Sequence, residues 1–390
     1  MRVCMVAYTF YEGDNRVRRY AESLRRRGDE VDAIVLRQPK SSSFCEVSGV
    51  NVYKIQKRDI DEKRQIDYLI KLLLFLFRSA VMLTKLHFKK QRYDLIHVHS
   101  VPDFEVFAAL IPKLFGAKIV LDIHDIVPEL FASKFGAKHG SLLFKMLVFV
   151  ERASMAFADH VIVANHIWHE RLISRSVSSK KCSVVMNYPD THIFTCESSR
   201  RIKNGSYIMV YPGTLSIHQG LETAIRAVEM LKKEIPELQL HIYGKGTDEG
   251  YFQSLVKELK LEKQVFFNGI VPIEKLPQVI SGADIGVEPK LSRTFGNEAF
   301  STKILEFMAM GVPVIASDTL VHKHYFDETL VQFFRSEDVS DLADRILLLR
   351  KSSSLRSKLV TNSFKFMKEY NWEAKKHLYH SMVDALVKDK

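Results

Sequence analysis

Short apolar, β-branched runs alternate with helical patterns along the 390 residues of this chain. RVCMVAY (2–8) and EVDAIVLR (30–37) have the composition of buried strands, and NRVRRYAESLRRRG (15–28) between them has the period of a helix. DLIHVHS (94–100), KIVLDIH (118–124), HVIVAN (160–165) and CSVVMN (182–187) continue the strand series, with helical patterns between most of them. Such alternation predicts βαβ units around a parallel sheet, because a parallel connection needs a crossover long enough for a helix. A polar stretch, CESSRRIKNGS (196–206), follows, and the alternation restarts with YIMVYPG (207–213), LQLHIYG (238–244), VFFNG (265–269), DIGVEP (284–289) and PVIAS (313–317). The expected fold class is α/β, with two doubly wound domains facing each other across a cleft. Residues 1–190 form the first, 206–365 the second, and a C-terminal helix, 366–390, packs back on the first. Ligands of such sheets bind beyond the carboxyl ends of the strands, where strand order reverses, so chemistry is expected in the loops after these strands.

Composition narrows the class without naming the function. A hydrophobic content of 46% with 26% charged residues suits large buried cores and excludes a disordered or fibrous chain. Four cysteines, widely spaced and with no CxxC, imply neither a zinc site nor a disulfide framework. MRVCMVAYTF runs straight into a strand-like segment, so the expectation is a chain that stays in the reducing cytosol. The net charge of +11 is uneven: residues 1–190 carry 30 Lys and Arg against 21 Asp and Glu, which places +9 of it there. Charge alone points equally to nucleic acid, an anionic membrane or an anionic substrate. No nucleic-acid motif accompanies it.

The most informative segment runs Asn297-Glu298-Ala299-Phe300-Ser301-Thr302-Lys303-Ile304-Leu305-Glu306, then FMAMGVPVIAS. Glu298 and Glu306 bracket a helix start that Ser301 or Thr302 can cap, and the free N–H groups of its first turn suit an anion such as a diphosphate. A carboxylate in the preceding loop could accept sugar hydroxyls, and one a turn into the helix the hydroxyls of a ribose. Alone, the same residues equally describe an ordinary capped helix and a Gly-Val-Pro connection to a strand.

With this E-x7-E run the chain resembles the retaining glycosyltransferases of family 4, which have the GT-B fold. Further matches lie in DNRVRRYAESLRRRGDEV (14–31), YDLIHVHSVPD (93–103), LDIHDIVPEL (121–130), ADHVIVAN (158–165), VVMNYPD (184–190), GTLSIHQGLETAIRAV (213–228), IYGKG (242–246) and NWEAKKHLY (371–379). The resemblance implies a hexosyl-transferring enzyme in which Glu298 holds the donor sugar and Glu306 the nucleotide ribose. It implies that Lys303 and the amides of Ala299, Phe300, Ser301 and Thr302 meet the diphosphate, that His124 lies beside the anomeric centre, and that no bound metal or other cofactor is needed. Gly213, Gly244 and Lys245 fall in matching loops on the donor side. Many members carry an Arg after the glycine matching Gly213 and a Lys before the one matching Gly220; here Thr214 and Gln219 stand there. His218, Lys245, Arg293 and Lys303 are the candidates to replace those cations. The usual glycine pair of the first loop is reduced to Gly13, with Arg16 nearby. His97 and His99 share one strand face but have no matching acidic or Cys/His partners in the sequence, so packing is their expected role.

Between 61 and 92 lies a helical segment in which Lys57, Arg64, Lys71, Arg78, Lys85 and Arg92 recur every seven positions and would draw one basic stripe. Its longest apolar run is six residues, Leu72–Phe77, too short for a membrane span. The stripe is either a solvated face or a contact with lipid headgroups. The expected partners are therefore a UDP- or GDP-sugar donor, a glycan or lipid-linked acceptor such as those of polysaccharide biosynthesis, and an anionic membrane touched peripherally from the cytoplasmic side. A non-catalytic partner protein on the same fold is the alternative that Thr214 and Gln219 suggest.

Overall fold

The computed structural model describes residues 1–39, 41–58, 65–89, 91–136, 140–195 and 205–388. Arg64 and nearly all of the polar stretch between the two alternating series lie outside the described residues. Contacts divide the chain into two compact units, Met1–Asn187 with Lys376–Lys390, and Tyr188–Lys375.

The first unit holds strands β1 (Arg2–Ala7), β2 (Glu30–Arg37), β3 (Phe44–Val47), β4 (Val50–Lys57), β5 (Leu95–His99), β6 (Lys118–Ile123), β7 (His160–Val163) and β8 (Cys182–Val184). They form one sheet in the order β3-β4-β2-β1-β5-β6-β7-β8, parallel except for the antiparallel β3–β4 pair. Helices α1 (Asn15–Arg26), α2 (Gln65–Lys89), α3 (Leu110–Leu114), α4 (Val127–Phe135), α5 (Leu142–Phe157) and α6 (His166–Arg175) make the crossovers. Asp14 caps α1 by accepting from the amides of Arg16 and Val17, which fixes Arg16 on the first turn.

The second unit contains β9 (Tyr207–Pro212), α7 (Leu221–Leu231), β10 (Leu238–Tyr243), α8 (Glu249–Glu258), β11 (Val265–Phe267), α9 (Leu276–Ser281), β12 (Ile285–Glu288), α10 (Thr302–Ala309), β13 (Val314–Ser317), α11 (Leu320–Tyr325), β14 (Gln332–Phe334), α12 (Val339–Lys351) and α13 (Ser353–Met367). The sheet is wholly parallel, in the order β11-β10-β9-β12-β13-β14. Its core is mainly aliphatic, with Met209, Leu240, Val287 and Ile315 of the strands in one cluster with Leu221, Ile225 and Val228 of α7 and with the aromatic Tyr211, Phe252 and Phe334. The last helix, α14 (Trp372–Lys388), crosses the division, and Tyr379 near its middle is fully buried in the first unit, 4.3 Å between rings from Tyr20.

Both sheets reverse strand order once, between β1 and β5 and between β9 and β12. The loops beyond these strand ends are where ligands of open α/β sheets generally bind. In the second unit, α10 is fixed on the sheet by a close approach: a Cβ on Gly286 of β12 would come within 2.6 Å of the buried Phe307 ring. Replacing Gly286 by Val is therefore expected to lower stability by about 1–3 kcal/mol through overpacking. Thermal unfolding of the variant checks this; an unchanged melting temperature would show that α10 is free to shift.

Candidate functional site

In the first unit the reversal point gathers a buried polar cluster. Asp122, on the last turn of pleat before the end of β6, is fully buried, and Arg16 reaches it from α1 with two hydrogen bonds, Nε to Oδ2 at 2.8 Å and Nη2 to Oδ1 at 2.7 Å. Arg16 also donates to the Val185 carbonyl at 2.8 Å. Burial alone would raise the Asp122 carboxyl, but Arg16 and the neighbouring histidines overcome it and hold Asp122 well below the usual range. His124, two positions on and partly exposed, lies with Nε2 3.2 Å from Asp122 Oδ2 and 3.1 Å from His99 Nδ1. His97 stacks on His99 with ring centres 4.2 Å apart, and its Nδ1 meets the Tyr379 hydroxyl at 2.9 Å. Burial lowers the pKa of both His97 and His99, so both are neutral at pH 7.

This arrangement corrects the reading of His97 and His99 as lacking an acidic partner. Among the described residues, His97, His99 and Asp122 are a group whose ligating atoms lie within 4.8 Å of one another. The donor set fits a divalent ion poorly, because the Arg16 guanidinium already occupies both carboxylate oxygens. Arg16 is likewise spoken for by Asp122 rather than open at the loop. Gly13, in the short turn Tyr11–Gly13, has neither a left-handed φ nor any atom within 4 Å of an added Cβ, so nothing in the fold demands glycine there.

In the second unit the loops after β9, β10 and β12 meet closely. Gly220 has φ +73° and a Cβ there would lie 1.8 Å from the Pro289 carbonyl, while at Gly244, with φ +145°, it would lie 1.9 Å from the Gly213 carbonyl. Only glycine permits these contacts. Thr214, His218 and Lys245 stand exposed on this surface, and Gln219 ends the short turn Ile217–Gln219.

Glu298 follows the turn Phe295–Asn297, and Glu306 lies buried in α10. Ser301 is the N-cap of α10, but its side chain makes no capping bond; Thr302 is the first helical residue. Lys290, buried, instead ties the loop down by donating to the Ala299 carbonyl at 2.7 Å. Phe300 packs edge-on against Tyr325, ring centres 4.9 Å apart. Lys303 Nζ pairs with Glu288 Oε2 at 2.7 Å. Arg293, another candidate cation, is exposed and pairs with Glu337 at 3.2 Å.

Asp122, Tyr211, Glu288, Lys290 and His322 are the residues that motif reading passed over. Asp122 was accessible from spacing, since it shares a strand face with His124. Glu288 was signalled only by a lone carboxylate ending an apolar strand.

Comparison with known proteins matches this architecture unit by unit. Residues 13–187 match the glycosyl transferase 4-like domain and residues 196–366 the glycosyl transferases group 1 domain. An uncharacterized glycosyltransferase of Methanocaldococcus jannaschii is 26% identical over 374 residues, covering 90% of this chain and 89% of that protein. Sucrose-phosphate synthase from Thermosynechococcus elongatus superposes with a TM-score of 0.80 at 21% identity, over 99% of this chain and 100% of that one. The Anabaena protein HepE in complex with UDP does so with a TM-score of 0.71 at 15% identity, over 98% and 100%. With one glycosyltransferase domain matched in each half and the strand order of both sheets in place, this chain is a glycosyltransferase of the GT-B fold and belongs to the family 4-like group.

Proposed function

We propose that this enzyme moves a sugar from a UDP- or GDP-sugar to a glycan or lipid-linked acceptor with retention at the anomeric carbon. The observation that carries the reading is the second unit's reversal point, where the Gly213 turn lies against Lys303 on the first turn of α10, the helix start that the two glutamates of the E-x7-E run bracket in sequence. A helix start beside close-packed glycine turns suits a diphosphate. HepE, alike in fold, carries UDP. Glu306 then serves the ribose, Glu298 the transferred sugar and His124 the reacting carbon. No carboxylate in these motifs is an evident nucleophile, so front-face displacement, supported by stabilisation of the departing diphosphate, is the route this reading favours.

The acceptor side of the reading rests on the surface of the first unit. The segment Asp103–Ala109 contacts both α2 and α5 and leads into α3. On α2 the exposed positions are mainly apolar, including Ile70, Leu73, Phe77 and Val81, with Arg78, Lys85 and Lys89 beside them. Leu114 of α3 and Leu142 and Phe149 of α5 are 71–77% exposed. Acidic residues are withdrawn: Glu105 and Glu151 are buried, and Asp67 is the exposed acid among the described side chains of α2, α3 and α5. The heptad stripe is thus not one solvated face. Lys57 ends β4, Lys71 is half-buried, and Arg92 lies past the end of α2. An apolar face with basic neighbours fits an anionic lipid surface, which basic residues attract and apolar ones enter. No helix among the described residues is long and apolar enough to cross a membrane.

Three outcomes follow. Glu306→Ala is expected to weaken nucleotide binding by roughly tenfold or more, the cost of one charged hydrogen bond, whereas Glu298→Ala chiefly lowers turnover; equal nucleotide affinity in wild type and Glu306→Ala would displace Glu306 from the ribose. EDTA is expected to leave transfer intact, and a loss reversed by added cation would return His97, His99 and Asp122 to consideration as ligands. The protein is expected to co-sediment with phosphatidylglycerol vesicles at low salt. Arg78→Glu with Lys85→Glu and Lys89→Glu should reduce this by about 1 kcal/mol per charge removed, and Phe77→Ser with Val81→Ser should reduce what survives in high salt. Wild-type protein that ignores such vesicles would leave the apolar face without a lipid role.

A further inference from the structure

Glu288 ends β12 fully buried, and its partner Lys303 stands on the first turn of α10. A buried ion pair adds little net stability over aliphatic residues of the same size, so its presence calls for another reason. Among the described residues, Glu288 meets Lys303 through the 2.7 Å contact of Oε2 with Nζ, and its Oε1 has no hydrogen-bond partner. The position of the ammonium supplies the reason. It lies 4.6 Å from the centre of the Tyr211 ring, and a Cβ on Gly213 would come within 2.9 Å of it. The charge therefore sits directly against the Gly213 turn, where the uncharged Thr214 and Gln219 stand at the two places that the resemblance gives to cations.

We propose that Glu288 is a positioning residue for the nucleotide diphosphate: it keeps Lys303 charged and lodged against the Gly213 turn, so that the cation this turn lacks is supplied from α10. The inference rests on the nucleotide-sugar reading above. The groups facing the pair are Tyr211 from β9, Lys290 after β12, Glu306 on α10 itself and His322 from α11. Burial pushes the Lys303 ammonium down, and the Glu288 carboxylate more than reverses this. Burial lowers His322 to about 4 and raises Tyr211 to about 12, so both stay neutral between pH 7 and 10. Lys290 is engaged with Ala299. Take Glu288 away, and burial is left to strip the Lys303 proton at mildly alkaline pH.

Calorimetric titration of UDP and GDP, with uridine and guanosine as phosphate-free controls, into the full chain at pH 7.5 and 9.5 tests this. The phosphates are fully ionised at both values, since their last proton leaves near pH 6. For whichever nucleotide binds, wild-type affinity is expected to follow that of its nucleoside between the two, since the base itself loses a ring proton in this range, and Glu288→Gln is expected to lose about tenfold more for the nucleotide at pH 9.5, the scale of one charged hydrogen bond, with no matching extra loss for the nucleoside. Glu288→Leu with Lys303→Met, an apolar replacement that spares the fold, should lose about tenfold at both pH values, and adding Thr214→Arg should restore it. A Glu288→Gln protein, or the double variant should the first not fold, that binds nucleotide like wild type at both pH values overturns the inference and leaves the nucleotide-sugar reading standing. Wild-type protein that binds neither UDP nor GDP overturns both.

Discussion

The rest of the structure depends on strands that are covered on both faces. β1, β5, β12 and β13 are buried along their whole length, so polar side chains along them must find partners within the protein or stand at the strand ends. The chemistry of each unit is thereby driven to the carboxyl edge of its sheet. At that edge, the reversal of strand order separates two crossovers and leaves room between their loops.

Each unit meets this constraint with a buried charge pair at its reversal point, Arg16 with Asp122 in the first and Lys303 with Glu288 in the second. The two pairs differ in kind. Arg16 grips Asp122 with two hydrogen bonds and adds a third to a carbonyl, which satisfies the carboxylate and anchors the histidine group around it. Lys303 and Glu288 meet through one close contact beside a glycine turn and an aromatic ring, an arrangement less saturated and more open to a further anionic partner. The first is a fixed support; the second is, in the reading proposed above, a cation held for the diphosphate.

The helical cover of the first unit follows a different rule. Where α2 and α5 meet the segment Asp103–Ala109 they are packed, and buried acids such as Glu105, raised to about 8 by desolvation, lie beneath them. Their outer faces keep apolar side chains that folding alone leaves in water. An extended apolar patch marks an interaction surface, and the basic side chains described beside it give that surface its sign.

The sequence by itself determined the fold class, since the alternation of β-branched runs with helical periods admits little besides parallel βαβ units, and the spacing of Glu298 and Glu306 marked α10 before any geometry was available. It did not show β3 or β14, which are short and carry too few residues for a period to register, nor the eight-residue β4 that pairs with β3. Nor could it settle which face of the 61–92 segment meets water: heptad spacing groups residues by direction but does not say which direction the core takes. Tertiary structure alone decided the partners of the charged residues. Asp122 lies 106 positions from Arg16 and Glu288 fifteen from Lys303, and pairing across such distances depends on strand order rather than on local pattern. Local sequence fixes what a side chain can do, whereas the order of strands in the sheet fixes what it meets.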